Sequence, residues 1–314
     1  MPVLFVFVDG VGAGERDPTV NPLARGDFLL SRFADGSGPP LPAGGRCVLA
    51  DACLGVPGRP QSATGQTTIL TGENAPRALG KHLLGFPNEA LRALLGARSV
   101  FRALAAAGGS GTFANSYPVA YLRALGFPCE GEEEFAFGKR RPRASATTVA
   151  FGAGGAPFRT WADARAGRGL THDITGARAR GFGAALPSRT PEEAAAILLD
   201  LAGAHDLTLF EFFETDEAGH ARSMEAALEA LARLERFLRA VVAGLPAGAS
   251  LVVASDHGNV EDLGSRNHTL AHVPVLGFGP AADLLDGVQD LTHLAPLLLT
   301  LAREPALPRR DAAE

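Results

Sequence analysis

Three apolar segments of the chain are each followed by side chains that can bind a metal ion. They are residues 3–8 with Asp9, residues 207–213 with Asp216 and His220, and residues 250–254 with Asp256 and His257. A buried strand does not normally end in such groups, because desolvating an unpaired carboxylate costs several kcal/mol. Open α/β sheets bind ligands at the carboxyl ends of their strands. The pattern therefore predicts a metal site at one edge of a sheet.

Strand-like apolar segments alternate with helical patterns along the chain. This alternation predicts an α/β fold with a mostly parallel sheet that is covered on both faces. Thr190, followed by Pro191 and two acids, is typical of a helix start. A long amphipathic helix is expected from Ser223, a strand over residues 273–278 and a last helix over residues 292–302.

The middle of the chain differs from its two ends. Between about residues 118 and 188 the periodicity fades, and glycine and arginine accumulate. We therefore predict a core of residues 1–117 and 189–302, interrupted by a small inserted cap of residues 118–188. The polar, proline-rich tail of residues 303–314 is expected to be loose. Residues 139–143 form a basic cluster, which is either a solvated loop or an anion-facing part of the cap.

The composition argues against several classes of function. A net charge of −5 over 314 residues, with no long basic stripe, argues against a nucleic-acid binder. No apolar run is long enough to span a membrane, and the apolar start lacks the basic region of a signal peptide. The three cysteines, Cys47, Cys53 and Cys129, include no C-x-x-C pair, which fits a reducing cytoplasm. We expect a soluble cytoplasmic protein without a membrane or nucleic-acid partner; its oligomeric state is open.

Ser62 lies in the segment Gln-Ser-Ala-Thr-Gly-Gln-Thr-Thr at residues 61–68, just ahead of apolar residues. This pattern predicts a serine at or just before a helix N-terminus, where free N–H groups and the helix dipole favour anions. Such a serine is commonly an N-cap. Beside a metal, however, a hydroxyl loses its proton near neutral pH and becomes a nucleophile. Thr64 competes with Ser62 for either role.

Two further histidines, His268 and His272, directly precede the strand predicted over residues 273–278. A histidine in a loop is more often a structural residue than a metal ligand. Here the pair follows the Asp256–His257 motif, which favours ligation.

A glycine-rich segment after the first strand suggests a competing interpretation. Gly10, Gly12 and Gly14 superficially resemble a dinucleotide-binding loop. A dinucleotide-binding pattern that starts at Gly10 requires its third glycine at position 15, where this chain has Glu15. Nearby prolines also prevent the helix that should receive the pyrophosphate. The metal site is therefore the preferred interpretation.

Five motifs, in the same order along the core, resemble the alkaline phosphatase superfamily. They are Asp9-Gly10, Ser62 in Ser-Ala-Thr-Gly-Gln, Asp216 to His220, Ser255 to Asn259, and His268-Thr269 ahead of Val273-Pro274. The nearest branch is the one that contains cofactor-independent phosphoglycerate mutase and phosphopentomutase. The resemblance implies a three-layer α/β/α core that holds two divalent metal ions. The segment over residues 118–188 resembles nothing that we can assign.

The resemblance also implies a role for each motif. One metal would be held by Asp9, Asp256 and His257 together with the nucleophile Ser62, and the other by Asp216, His220 and His268. His268 is preferred to His272 because it occupies the superfamily's His-Thr position. Carboxylates and imidazoles without thiolates suit Mn or Zn better than Mg.

The implied chemistry is phosphoryl transfer from a small phosphorylated metabolite through Ser62. If water completes the reaction, the protein is a phosphatase; if the substrate takes the phosphoryl group back, it is a mutase. The chain lacks room for the large second domain of phosphoglycerate mutases and carries Gln66 where the mutases have histidine. Hydrolysis of a monoester is slightly favoured, with phosphodiesters, sulfates and phosphonates as further substrates. A non-catalytic metal- or anion-binding regulatory protein is the alternative of another class.

Several polar residues are candidates for contacts to the substrate. They are Thr64, Lys81, His82, Arg140, Arg141, Arg143 and His272. Long cationic side chains are usually solvated, so the sequence alone does not choose among them.

Overall fold

Eight β-strands form two sheets in the described residues, 1–131 and 142–303, of this computed structural model. The strands are β1 Val3–Val8, β2 Arg46–Ala50, β3 Gly111–Phe113, β4 Ser116–Tyr117, β5 Arg159–Thr160, β6 Leu207–Phe212, β7 Ser250–Ala254 and β8 Val273–Phe278. The large sheet has the order β2-β8-β7-β1-β6-β3, and β4 pairs with β5 in a separate small sheet.

The strands that precede the predicted metal ligands lie side by side. β1 is parallel to both β6 and β7, with Val8 opposite Phe212 and Phe7 opposite Ala254. β3 is parallel to β6, whereas β8 runs antiparallel to β7 and β2. The mostly parallel sheet is confirmed, and the carboxyl ends of β1, β6 and β7 meet at one edge.

Thirteen α-helices surround the sheets in the same described residues. They are α1 Ser62–Thr71, α2 Ala75–Leu79, α3 Glu89–Arg98, α4 Val100–Ala106, α5 Val119–Ala124, α6 Ala146–Gly152, α7 Trp161–Arg165, α8 Ala177–Gly181, α9 Pro191–Gly203, α10 Glu214–Ala221, α11 Met224–Gly244, α12 Pro280–Leu284 and α13 Leu294–Arg303. The predicted helix starts are confirmed at α9 and α11. Thr190 and Glu193 form a capping box at the first, and the Ser223 side chain caps the second.

The central strand β1 has two buried faces, because successive side chains of a strand point in opposite directions. Phe5 and Phe7 pack in one apolar cluster with residues of α1, α4, α6 and α13. Leu4 and Val6 pack in another cluster with residues of α9 and α11. The chain is therefore a three-layer α/β/α sandwich, as predicted.

The segment over residues 118–188 is connected to the core by apolar packing. Ala150 and Phe151 of α6 belong to the same cluster as Phe5. Trp161 instead contributes to a small separate cluster with residues of α7 and α8. The division into core and cap stays a prediction. Arg140, Arg141 and the tail from residue 304 lie outside the described residues.

None of the helices in the described part of the chain combines the length and the apolar character needed to cross a lipid bilayer. The cytoplasmic location stays a prediction.

Candidate metal centre and active-site cavity

Ser62 is the first residue of α1 and lies at the predicted metal site. The N-cap position belongs to Gln61, whose backbone is extended, so Ser62 itself is not the cap. Its Oγ atom lies 3.0 Å from His257 Nε2. The buried residues of α1 fix the direction of the helix, which presents its N-terminus and the Ser62 hydroxyl to the carboxyl edge of the sheet.

The first group of potential metal ligands consists of Asp9, Asp256 and His257, which follow β1 and β7. Their ligand atoms all lie within 4.8 Å of one another, and all three residues are buried. His257 Nε2 is 3.3 Å from Asp9 Oδ1 and 3.4 Å from Asp256 Oδ2. Gln66 of α1 donates from Nε2 to both carboxylates at 3.3 Å.

The second group consists of Asp216, His220 and His268. Asp216 and His220 are four residues apart on α10, so they share one helix face, and their side chains are 3.2 Å apart. His268 comes from the loop before β8, and its Nε2 lies 3.2 Å from His220 Nε2. The Nδ1 atoms of His220 and His268 lie 2.9 Å from the carbonyl oxygens of Arg266 and Pro60. These contacts leave both Nε2 atoms directed at the site.

Residues that sequence analysis did not assign hold the ligands in position. Asn259 donates its side-chain amide to Asp216 Oδ1 at 2.6 Å. Glu261 accepts from the backbone N–H groups of Gly12 at 2.9 Å and Asn259 at 2.7 Å. The Asp-His-Gly-Asn motif contained Asn259, but nothing in the sequence pointed to Glu261.

The electrostatics of the two groups favour bound cations. Burial, and then the neighbouring carboxylates Asp256 and Asp216, raise the pKa of Asp9 well above its ordinary value. Burial lowers the pKa of His257 to about 3, so its ring is neutral, the form that binds metals. Burial raises the pKa of Asp216, but contacts with His220, His257 and Asn259 outweigh it and lower the value to about 2.

Asp9 also provides a direct test of whether a metal ion fits. Its Oδ1 atom is buried and accepts no hydrogen bond from any residue that the structure describes. A buried carboxylate oxygen without a partner is costly, and a divalent cation would satisfy it. The donor set of carboxylates and imidazoles therefore fits divalent metal ions.

The two ligand groups open onto a cavity of about 500 Å³. The lining residues are Asp9, Ser62, Gln66, Gly85, Phe86, Tyr117, Tyr121, Arg143, Ser145, His172, Glu211, Phe213, Asp216 and Glu217. A slightly larger cavity, about 600 Å³, lies near the amino end of β3 and shares no lining residue with it. The smaller cavity is the candidate active site, because it contains the nucleophile candidate and members of both ligand groups.

Of the proposed substrate contacts within the described residues, Arg143 is the one that lines this cavity. Thr64 is buried in α1, where its hydroxyl donates to Gln61 O at 3.1 Å. His82 Nε2 lies 3.3 Å from Val56 O. Lys81 and His272 are exposed. Substrate binding by these residues stays a prediction.

Glu211 is a cavity residue that sequence analysis missed. It is buried on β6, and its Oε2 accepts a hydrogen bond from Thr147 Oγ1 at 2.8 Å. Burial raises the pKa of its carboxyl group from 4.5 to about 7, although the bond from Thr147 opposes the shift. A glutamate inside the apolar segment of residues 207–213 was the signal that could have identified it.

Glu211→Gln is expected to change the pH dependence of stability in chelator-treated protein. Between pH 4.5 and about 7 the folded wild type keeps a proton that the unfolded chain releases. In the wild type, the contribution of Glu211 to the free energy of unfolding therefore falls as pH rises, by up to about 3 kcal/mol over this window. Glutamine removes this contribution. Urea unfolding of both proteins at several pH values measures the difference; parallel curves would contradict the assignment.

Gly65→Ala is expected to disturb the contact between α1 and the loop after β7. A Cβ atom at this position would lie 2.9 Å from Asp256 O and 3.0 Å from Asp256 Cβ. We expect a loss of about 1–3 kcal/mol in the free energy of unfolding. Gly96→Ala in α3 is the matched control, because nothing lies within 4 Å of its added Cβ. That change should stabilise the chain by about 0.5–1 kcal/mol. Equal effects in chemical denaturation would contradict the close approach.

Residues 187–300 match the sequence model of a family described as the metalloenzyme superfamily. The 2,3-bisphosphoglycerate-independent phosphoglycerate mutase of Rhodopseudomonas palustris is 38% identical over 112 residues, which cover 33% of this chain and 22% of that protein. The enzyme of the same name from Agrobacterium fabrum is 36% identical over 114 residues, again 33% and 22% of the two chains. The match thus spans about a fifth of these relatives' length.

The fold is similar to that of a solved structure, the cold-active alkaline phosphatase from a psychrophilic Shewanella species. The TM-score is 0.53 at 15% sequence identity, and the match covers 97% of this chain and 100% of the other. The alkaline-phosphatase-like architecture predicted from the motifs is therefore confirmed.

Proposed function

We propose that this member of the alkaline-phosphatase-like metalloenzyme superfamily is a phosphoryl-transfer enzyme in which Ser62 attacks a small phosphate monoester. The supporting observation is the position of Ser62 Oγ, 3.0 Å from His257 Nε2 and at the lining of the cavity. The two groups of potential metal ligands lie beside each other at the carboxyl edge of the sheet. A phosphate group at Ser62 would therefore lie close to both groups.

The residues fit two divalent metal ions, for which we propose Mn or Zn. Asp9, Asp256 and His257 with Ser62 would hold the first, and Asp216, His220 and His268 would hold the second. When bound, such ions neutralise the phosphoryl oxygens and lower the pKa of a coordinated hydroxyl.

The chain's own residues then account for two displacement steps. Ser62 Oγ attacks phosphorus, the bond to the substrate's alcohol oxygen breaks, and the alcohol leaves with a proton. The N-terminus of α1 directs its free N–H groups at the phosphoryl oxygens. Water then attacks the phosphoserine, the bond to Ser62 breaks, and inorganic phosphate is released.

A mutase is the second candidate, favoured by the two phosphoglycerate mutases that share 36–38% identity with part of the chain. In a mutase, a second hydroxyl of the substrate replaces water in the last step. We favour hydrolysis because Gln66 stands where the superfamily's mutases carry histidine. Its Nε2 donates to Asp9 Oδ2 and Asp256 Oδ2, both at 3.3 Å.

Phosphorus NMR of the Mn-loaded protein with sugar phosphates, phosphoglycerates and nucleotides tests the proposal. Appearance of inorganic phosphate supports the phosphatase, and a resonance that moves to a new ester position supports the mutase. Unchanged spectra from protein with its full metal content would overturn phosphoryl transfer from monoesters.

A further inference from the structure

Four aromatic rings form a continuous wall of the active-site cavity. Tyr121 stacks on Tyr117 with ring centroids 5.0 Å apart and an interplanar angle of 10°. The Tyr117 ring is 5.3 Å from that of His172, which is 4.9 Å from that of Phe213. All four residues line the cavity that contains Ser62. The wall therefore lies where the non-phosphate part of a substrate would extend.

The wall itself carries little charge. Burial lowers the pKa of His172 to about 4, with Arg178 acting in the same direction and Asp173 opposing it, so its ring is neutral near pH 7. Arg178 is already bound by the Glu217 carboxylate, at 2.6 and 3.0 Å, and lies over the Phe213 ring at 5.1 Å. The wall thus presents neutral aromatic rings to the cavity.

Few cationic side chains line the cavity in the part of the chain that the structure describes. Among the described residues, Arg143 is the one lysine or arginine that lines it. Arg143 is exposed and lies over the Phe86 ring, with its guanidinium carbon 4.4 Å from the centroid. Within the described residues, a second anionic group of the substrate could pair with Arg143 alone; elsewhere it would lie against aromatic rings or beside the buried Glu211. Desolvating that anion without a partner is costly.

We propose that the alcohol part of the substrate is an uncharged, planar aromatic group that stacks against the wall formed by Tyr121, Tyr117, His172 and Phe213. This inference rests on the proposed phosphoryl transfer and defines the substrate class. Stacking on aromatic side chains contributes about 1–3 kcal/mol per base in nucleic-acid complexes, and any flat ring system gains similarly. The aromatic ring could belong either to a nucleoside monophosphate or to an arylalkyl phosphate.

The test compares esters in Mn-loaded protein. Adenosine 5′-monophosphate, benzyl phosphate, glycerol 3-phosphate and 3-phosphoglycerate all release a primary alcohol, so their intrinsic reactivities are matched; benzyl phosphate represents the aromatic source without a nucleoside. We expect kcat/KM for phosphate release to be at least about tenfold higher for one or both aromatic esters than for glycerol 3-phosphate. Preference for adenosine 5′-monophosphate identifies the nucleoside source, and preference for benzyl phosphate the arylalkyl source. Equal values, or a preference for 3-phosphoglycerate, overturn the inference but leave the proposed function intact.

Phe213→Leu keeps apolar volume but removes one ring of the wall. It should lower kcat/KM for the preferred aromatic ester about five- to tenfold and leave glycerol 3-phosphate within about twofold. Phe182→Leu is the control, because Phe182 is exposed and does not line this cavity. Equal losses on both esters would indicate a structural effect and contradict stacking.

Binding to the metal-loaded Ser62→Ala protein separates this inference from the proposed function. By calorimetry, the preferred aromatic ester should bind at least about tenfold more tightly than 3-phosphoglycerate. This preference without turnover in the wild type would reject phosphoryl transfer and retain the aromatic site. Equal or reversed affinities would reject the aromatic site itself.

Discussion

Ser62→Ala is expected to lower the rate of phosphoryl transfer by at least about 1000-fold, because it removes the attacking oxygen. The metal content should stay near that of the wild type, since the six proposed carboxylate and imidazole ligands are unchanged. Phosphate release measured beside the metal content of the same samples checks both expectations. Retained turnover would point to Thr64 or to direct attack by water.

Ser223→Ala is the matched control for this change. Ser223 also begins a helix, and its side chain accepts a hydrogen bond from Ala226 N at the start of α11. We expect a loss of about 1 kcal/mol in the free energy of unfolding, from the missing cap, and unchanged turnover. A loss of activity in both variants would mean that the assay responds to helix stability rather than to the nucleophile.

His268→Ala is expected to weaken binding of one metal ion by at least about 100-fold. The variant removes an imidazole whose Nε2 lies 3.6 Å from Asp216 Oδ1 and 3.2 Å from His220 Nε2. Elemental analysis after dialysis should show that about one of two bound ions is lost, together with most activity.

His272→Ala is the control for this variant. His272 stands four residues further along, is exposed, and belongs to neither ligand group. Its replacement should leave the metal content unchanged. A greater metal loss from His272→Ala than from His268→Ala would show that the motif is aligned to the wrong histidine.

The potential metal ligands at the carboxyl edge of the sheet could be predicted because the sequence patterns that identify them are short and local. An apolar strand followed directly by a carboxylate marks Asp9 and Asp256, and helical spacing links Asp216 to His220. Parallel pairing of β1 with β6 and β7 then brings these short patterns together. The fold and the proposed ligand groups therefore follow from patterns that each span only a few residues.

The cavity could not be predicted in this way. Its aromatic wall combines Tyr117 of β4 and Tyr121 of α5 with His172 and Phe213 further along the chain. In the sequence, each of them alone resembles an ordinary core or surface residue. Glu211 was hidden in an apolar strand. Their charge or basicity made Lys81 and His82 candidates for substrate contacts, but neither lines the cavity. Tertiary packing decides these positions.

The central position of β1 has a consequence for how the protein reaches its active form. Val3 pairs with Leu207 on one side and with Ser250 on the other, so the first strand has partners that lie 204 and 247 residues further along the chain. Such non-local pairing slows folding, because a long loop must close before its contacts form. Asp9 meets Asp256 and His257 only once this closure is complete. A chain still emerging during synthesis would therefore carry Ser62 without the assembled site around it, and the proposed nucleophile would become reactive only after folding is complete.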